Sequence, residues 1–148
     1  MAGTPAIDDV LLDLRQRTYA AFVRLGRAPS AGELGDEDKV RAGWRALHDV
    51  HALVLNAAGT EIRMANPFSA VPTAYRVRAD GRWWYANCAW DAFGILAALD
   101  VDGRIESSCP DCGEPYTVEV VHRQVDDRTL LFHCLVPAAA WWDDIVFT

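Results

Sequence analysis

From Ile7 to Leu25 the apolar positions Ile7, Val10, Leu11, Leu14, Tyr19, Phe22 and Val23 recur at spacings of three, four or their sums. Asp8, Asp9, Arg15, Arg17 and Arg24 fall mostly between them, so the segment predicts an amphipathic helix with one apolar stripe. Gly26 and Pro29 end it, and Ser30 is placed to cap a short helical turn through Leu34. Asp36 then caps a third predicted helix running to about Asp49, with Val40, Trp44 and Leu47 on one face.

Beyond the helices, His51–Leu55 and Glu61–Met64 flank the polar turn Asn56-Ala-Ala-Gly-Thr60, which has hairpin length. Three short helices and a hairpin make a winged-helix-like pattern over residues 1–65. Asn66 to Pro72 is a proline-marked connector. Over residues 66–148 the pattern turns β-rich, with predicted strands at Thr73–Val77, Trp83–Tyr85, Thr117–Val121, Thr129–Leu135 and Ile145–Phe147. One helix interrupts them from about Ala89 to Leu99. The fold class expected is therefore α+β: a three-helix winged-helix-like module, then a mainly antiparallel β region with one helix.

Composition restricts what such a chain does. Of 148 residues, 51% are hydrophobic and 24% charged, the balance of a globular protein with a real core. The formal charge is −7, and Lys39, Arg41 and Arg45 of the third helix are offset by Asp36, Glu37, Asp38 and Asp49. A DNA-reading surface lacks its electrostatic footprint, so no nucleic-acid partner is expected. No stretch approaches the roughly 20 apolar residues of a membrane span, and acids at Asp8, Asp9 and Asp13 interrupt any signal-peptide pattern. No membrane partner and a cytoplasmic location are expected. In a reducing compartment Cys88, Cys109, Cys112 and Cys134 read as core residues, metal ligands or reactive thiols rather than a disulfide frame.

Cys88 and Asp91 stand three apart where a predicted strand meets a predicted helix, so their side chains can share one face of the first turn. The helix start is expected to favour the Cys88 thiolate. Asp91, with Trp83, Trp84 and Trp90 nearby in sequence, is expected to be held protonated by desolvation. A buried small Cys88 and a capping Asp91 is the plainer alternative. Cys109-Pro-Asp-Cys112-Gly113 has the spacing of half a zinc site, and a dithiol that takes a soft metal or exchanges electrons is the other reading. Cys134 lies in the apolar run Leu130–Val136 and reads as a core cysteine, with His48, His51 and His122 as surface or satisfied core residues. Phosphate loops, serine-hydrolase elbows and zinc-protease helices have no counterpart in the chain.

From about Asn66 to Val120 the chain resembles the organomercurial (alkylmercury) lyases. The resemblance rests on Asn66-Pro-Phe-Ser69, Val71-Pro-Thr73, Arg76-Val77, Gly81-Arg82, Tyr85-Ala-Asn-Cys88-Ala-Trp-Asp91, Ser107-Ser-Cys109 and Gly113-Glu-Pro115. It implies protonolysis of a carbon–mercury bond to a hydrocarbon and Hg(II), with Cys88 as mercury-binding thiolate, Asp91 as proton donor and Cys109 in a structural role. An organomercurial and cellular thiols are the partners it implies. No resident cofactor is required; Hg(II) is the product, and Zn(II) is an alternative occupant of Cys88, Cys109 and Cys112. The family's second catalytic cysteine has no match here, which implies a shortened member, a lost reaction, or that role taken by Cys112 or Cys134. The competing readings are a non-catalytic Hg, Zn or Cu thiolate protein and a metal-sensing winged-helix regulator.

Overall fold

The computed structural model describes residues 7–126 and 129–146. Helix α1 (Asp9–Leu25) starts where the Asp8 carboxylate accepts the Leu11 N–H at 2.8 Å, and it ends at Gly26, whose φ of 70° lets its N–H reach the Phe22 carbonyl at 3.0 Å. A one-turn 3₁₀ helix (Ala31–Glu33) follows, fixed by Glu33 accepting from the Ser30 N–H and hydroxyl. Helix α2 (Glu37–Asp49) is capped by Asp36, which accepts from Lys39 N–H at 3.1 Å. The buried stripes of the two helices face each other, and fully buried Trp44 donates its indole N–H to Thr18 Oγ1 at 3.1 Å. The Thr18 hydroxyl in turn donates to the Leu14 carbonyl at 2.8 Å.

Eight strands among the described residues form one antiparallel sheet: β1 (Val54–Leu55), β2 (Ile62–Ala65), β3 (Phe68–Ser69), β4 (Tyr75–Ala79), β5 (Arg82–Ala86), β6 (Gly103–Ser108), β7 (Pro115–Val121) and β8 (Gln124–Val125). Their spatial order is β1-β2-β3-β5-β4-β6-β7-β8. Helix α3 (Ala89–Leu99) returns across one face, burying Ala92, Ile95 and Leu96 with Val77, Trp84, Ile105 and Val118. The core is continuous from Leu14 to Val120, since Phe22 of α1 stacks on Phe68 at 5.5 Å and Trp84 donates to the Phe22 carbonyl at 2.9 Å. On the opposite face Arg78 meets Glu106 at 3.1 Å and Arg104 meets Glu119 at 2.6 Å, an alternation of apolar inward and charged outward positions. No helix among the described residues is long and apolar enough to cross a membrane.

The α+β class and antiparallel sheet agree with the sequence pattern, while several details differ. The connector at Asn66–Pro72 contributes β3, a strand inside the sheet, because Phe68 and Ser69 pair with both β2 and β5. Strand β6 was not expected, since Ile105 is its one strongly apolar residue and its charged neighbours read as loop; cross-strand ion pairs make those charges compatible with an internal strand. Thr129–Leu135 is not a strand: Leu130-Leu131-Phe132 is a continuous apolar run with no neighbouring strand to pair with among the described residues. The expected strand at Ile145–Phe147 is a turn at Ile145 and Val146, and Phe147 lies outside the described residues.

Thr18→Val keeps the side-chain shape but leaves the Trp44 indole N–H buried without an acceptor. Urea unfolding should show a loss of about 1–3 kcal/mol.

Candidate functional site

Strand β5 brings the chain to Ala86, Asn87 turns it, and Cys88 occupies the cap position of α3 with extended backbone (φ −149°, ψ −178°). Asp91 sits in the first turn above it. Asn87 ties this junction to the β2–β3 turn: its amide nitrogen lies 2.9 Å from Asn66 Oδ1, 3.3 Å from the Phe68 carbonyl and 3.1 Å from Asp91 Oδ2. Thr73 secures the other side, donating to the Ala86 carbonyl at 2.6 Å and accepting from Tyr75 N–H at 3.2 Å. The Asn66–Pro67 peptide is cis, and the Asn66 carbonyl accepts from the Tyr19 hydroxyl at 2.9 Å. Arg15 lies over the Tyr19 ring at 4.5 Å, so α1 supplies one wall of the site.

Cys88 and Asp91 are both half-buried, and each influences the other's proton affinity. Burial pushes the Asp91 carboxyl above the usual carboxylate range, against the smaller opposing pull of the Asn87 amide and the Cys88 S–H. Burial also pushes the Cys88 thiol up; the N–H groups of Asp91 and Trp90 favour its thiolate, while the Asp91 charge and hydrogen bond oppose it. The expectation that the helix start lowers this thiol is therefore corrected: desolvation outweighs the two N–H groups. The tryptophan surroundings expected for Asp91 are corrected as well. Trp83 faces the outer side of the sheet beneath Arg76 at 4.7 Å, and Trp84 is committed to the core. Trp90 remains 63% exposed, with the Phe132 ring 6.0 Å away. Tyr75 lies near enough to Cys88 for the thiolate charge to help raise its hydroxyl, after burial and Tyr116.

The other thiols lie elsewhere. Cys109 and Cys112 occupy the tip of the β6–β7 hairpin, where the Cys109 N–H donates to the Glu114 carbonyl at 2.9 Å and the Gly113 N–H to the Cys109 carbonyl at 2.8 Å. Cys134 is exposed rather than in the core, its thiol donating to the Val136 carbonyl at 2.9 Å, because the segment around it is not a strand. His48 faces the Leu53 carbonyl at 3.3 Å, His51 stacks on Trp142 at 4.1 Å and His122 lies at the surface. Among the described residues, no three or more His, Cys, Asp or Glu side chains gather to hold one metal ion. Asn66, Asn87 and Thr73 lie within the stretch carrying the family resemblance, yet their positioning work has no separate spacing signal. Tyr19 and Arg15 had none, because an inward tyrosine on an apolar stripe reads as core.

A family model described as alkylmercury lyase matches residues 68–148. A search of curated proteins finds no match. Among solved structures the chain is similar to the mercury-bound form of MerB2, with a TM-score of 0.64 and 22% identity over 82% of this chain. The chain spans 60% of that structure's length.

Two outcomes follow from the charge balance of the site. Asp91→Asn removes the ionisable carboxylate that disfavours the Cys88 thiolate, so alkylation of Cys88 by iodoacetamide near neutral pH should accelerate, as read by peptide mass spectrometry. The same variant should be more stable than the parent at pH 7. A carboxyl raised on folding stabilises fully below its unfolded pKa, roughly 3.9, and that stability is lost as pH rises through the folded value. Urea unfolding across pH should show the advantage shrinking as the pH falls.

Proposed function

Because the chain belongs to the alkylmercury lyase family, we propose that it breaks carbon–mercury bonds by protonation at Cys88 and Asp91. The observation that carries this reading is a carboxyl of raised proton affinity in the helix turn directly above a cap-position thiol, both half-buried. Mercury is thiophilic, so an organomercury thiolate exchanges its sulfur for Cys88, and the thiol proton leaves on the departing small thiol. The neutral sulfur–mercury–carbon adduct suits a desolvated site better than a bare thiolate does.

Asp91 then gives its proton to the carbon as the carbon–mercury bond breaks. The carbon keeps the bonding electron pair and leaves as hydrocarbon, and mercury stays Hg(II) on Cys88. A second small thiol binds the metal, and the proton it loses restores Asp91. No oxidation state changes. Asn87 positions the carboxyl through its 3.1 Å contact, and Tyr19, anchored on Asn66, closes the side toward α1. No third His, Cys, Asp or Glu among the described residues joins Cys88 and Asp91 in a metal-holding set, which favours an external second thiol and weighs against a resident zinc ion.

We read the N-terminal winged-helix-like helices and hairpin as a buttress for this site rather than a DNA reader. Arg41 on α2 is occupied by Glu37 at 2.8 Å and Glu61 at 3.6 Å, so its charge is offset rather than offered to phosphate.

Incubation with phenylmercury and excess small thiol, with benzene measured by gas chromatography, tests the proposal. Cys88→Ser should fall to the uncatalysed background. Asp91→Asn should still bind the organomercurial yet release benzene at least about a hundredfold more slowly. Equal rates for parent and Asp91→Asn would remove Asp91 from the reaction.

A further inference from the structure

The Cys109-Pro-Asp-Cys112 turn takes no part in the chemistry above, and its geometry is that of a separate site. The β6–β7 hairpin closes between Ser108 and Pro115, and two backbone hydrogen bonds within the loop fold its cysteines onto one another. Gly113, at φ 76°, makes the reversal that a side chain would oppose. Cys109 opens this loop and Cys112 precedes its glycine, so the two thiols share one tight turn, where the N–H groups of Cys112 and Asp111 favour the Cys109 thiolate. Cys112 is exposed and Cys109 partly so, and no third His, Cys, Asp or Glu among the described residues completes a larger ligand set around them.

We propose that Cys109 and Cys112 form a two-coordinate chelating site for a thiophilic d¹⁰ ion, Hg(II) or Cu(I), separate from Cys88. The donor set selects the ion. Zinc requires four ligands in a structural site, whereas a soft ion content with two sulfurs needs only this pair. Loading from a bis-thiolate complex replaces two small-thiol ligands by Cys109 and Cys112. The two protein protons leave on the two released thiols, and the metal's oxidation state is unchanged. The site stands whether or not Cys88 and Asp91 break carbon–mercury bonds, because it uses neither.

The test loads the full chain carrying Cys88→Ser and Cys134→Ser with Hg(II) supplied as its bis-glutathione complex in excess glutathione. Native mass spectrometry and thiolate-to-mercury ultraviolet absorption count the metal. One equivalent should remain bound, and adding Cys112→Ser should weaken retention by about a hundredfold or more, the loss of a two-point chelate. Cys109→Ser should do the same. Should Cys88→Ser compromise folding by circular dichroism, the comparison is made in the parent chain: each hairpin substitution must remove one glutathione-resistant equivalent and Cys134→Ser none. Retention unchanged by Cys109→Ser or Cys112→Ser would overturn the proposal. So would a reduced pair that holds no mercury against glutathione, including one that only forms a disulfide.

Discussion

The Asp91 carboxyl is kept from water beside the Cys88 thiol, and the site depends on the junction that keeps it there. One amide, Asn87, reaches the β2–β3 turn, the Phe68 carbonyl and Asp91 at once, so strand, turn and helix start are fixed together. Desolvation raises both acidic groups, which would make a poor site for a reaction needing a free thiolate. It suits one in which a metal replaces the thiol proton and a carboxyl of raised proton affinity stands beside it. The weak nucleophile and the available proton have the same cause.

The large elements were legible because their signals are local. Asp36 caps α2, Gly26 ends α1, and the apolar stripes of both helices face the core. Strands β4, β5 and β7 alternate visibly. Strand β3 was hidden inside a proline connector, and β6 has charged positions that become intelligible only beside Arg78 and Glu119. Leu130–Leu135 shows the opposite failure, since an apolar run makes a strand only where another strand receives it.

The site divides along the same line. The Cys88–Asp91 spacing and the Cys109–Cys112 pair could be read from sequence, because each is a short-range relation. Tyr19 reaches Asn66 across 47 positions, and no periodicity announces that contact. The sign of the Cys88 shift was also illegible, for it is set by how much protein covers the sulfur rather than by the helix it begins. The chain consequently displays thiols of contrasting character. Cys88 is half-buried with its thiol pushed up by desolvation, whereas Cys109 lies at a hairpin tip with its thiolate favoured by backbone N–H groups.

The most direct measurement of the central claim is a single turnover in D₂O with phenylmercury bound stoichiometrically to Cys88. An exchangeable carboxyl donor predicts benzene carrying one deuterium from the parent protein, with Asp91→Asn retaining the phenylmercury adduct intact over the same interval. Benzene without deuterium, or the same yield of deuterated benzene from Asp91→Asn, would contradict the account.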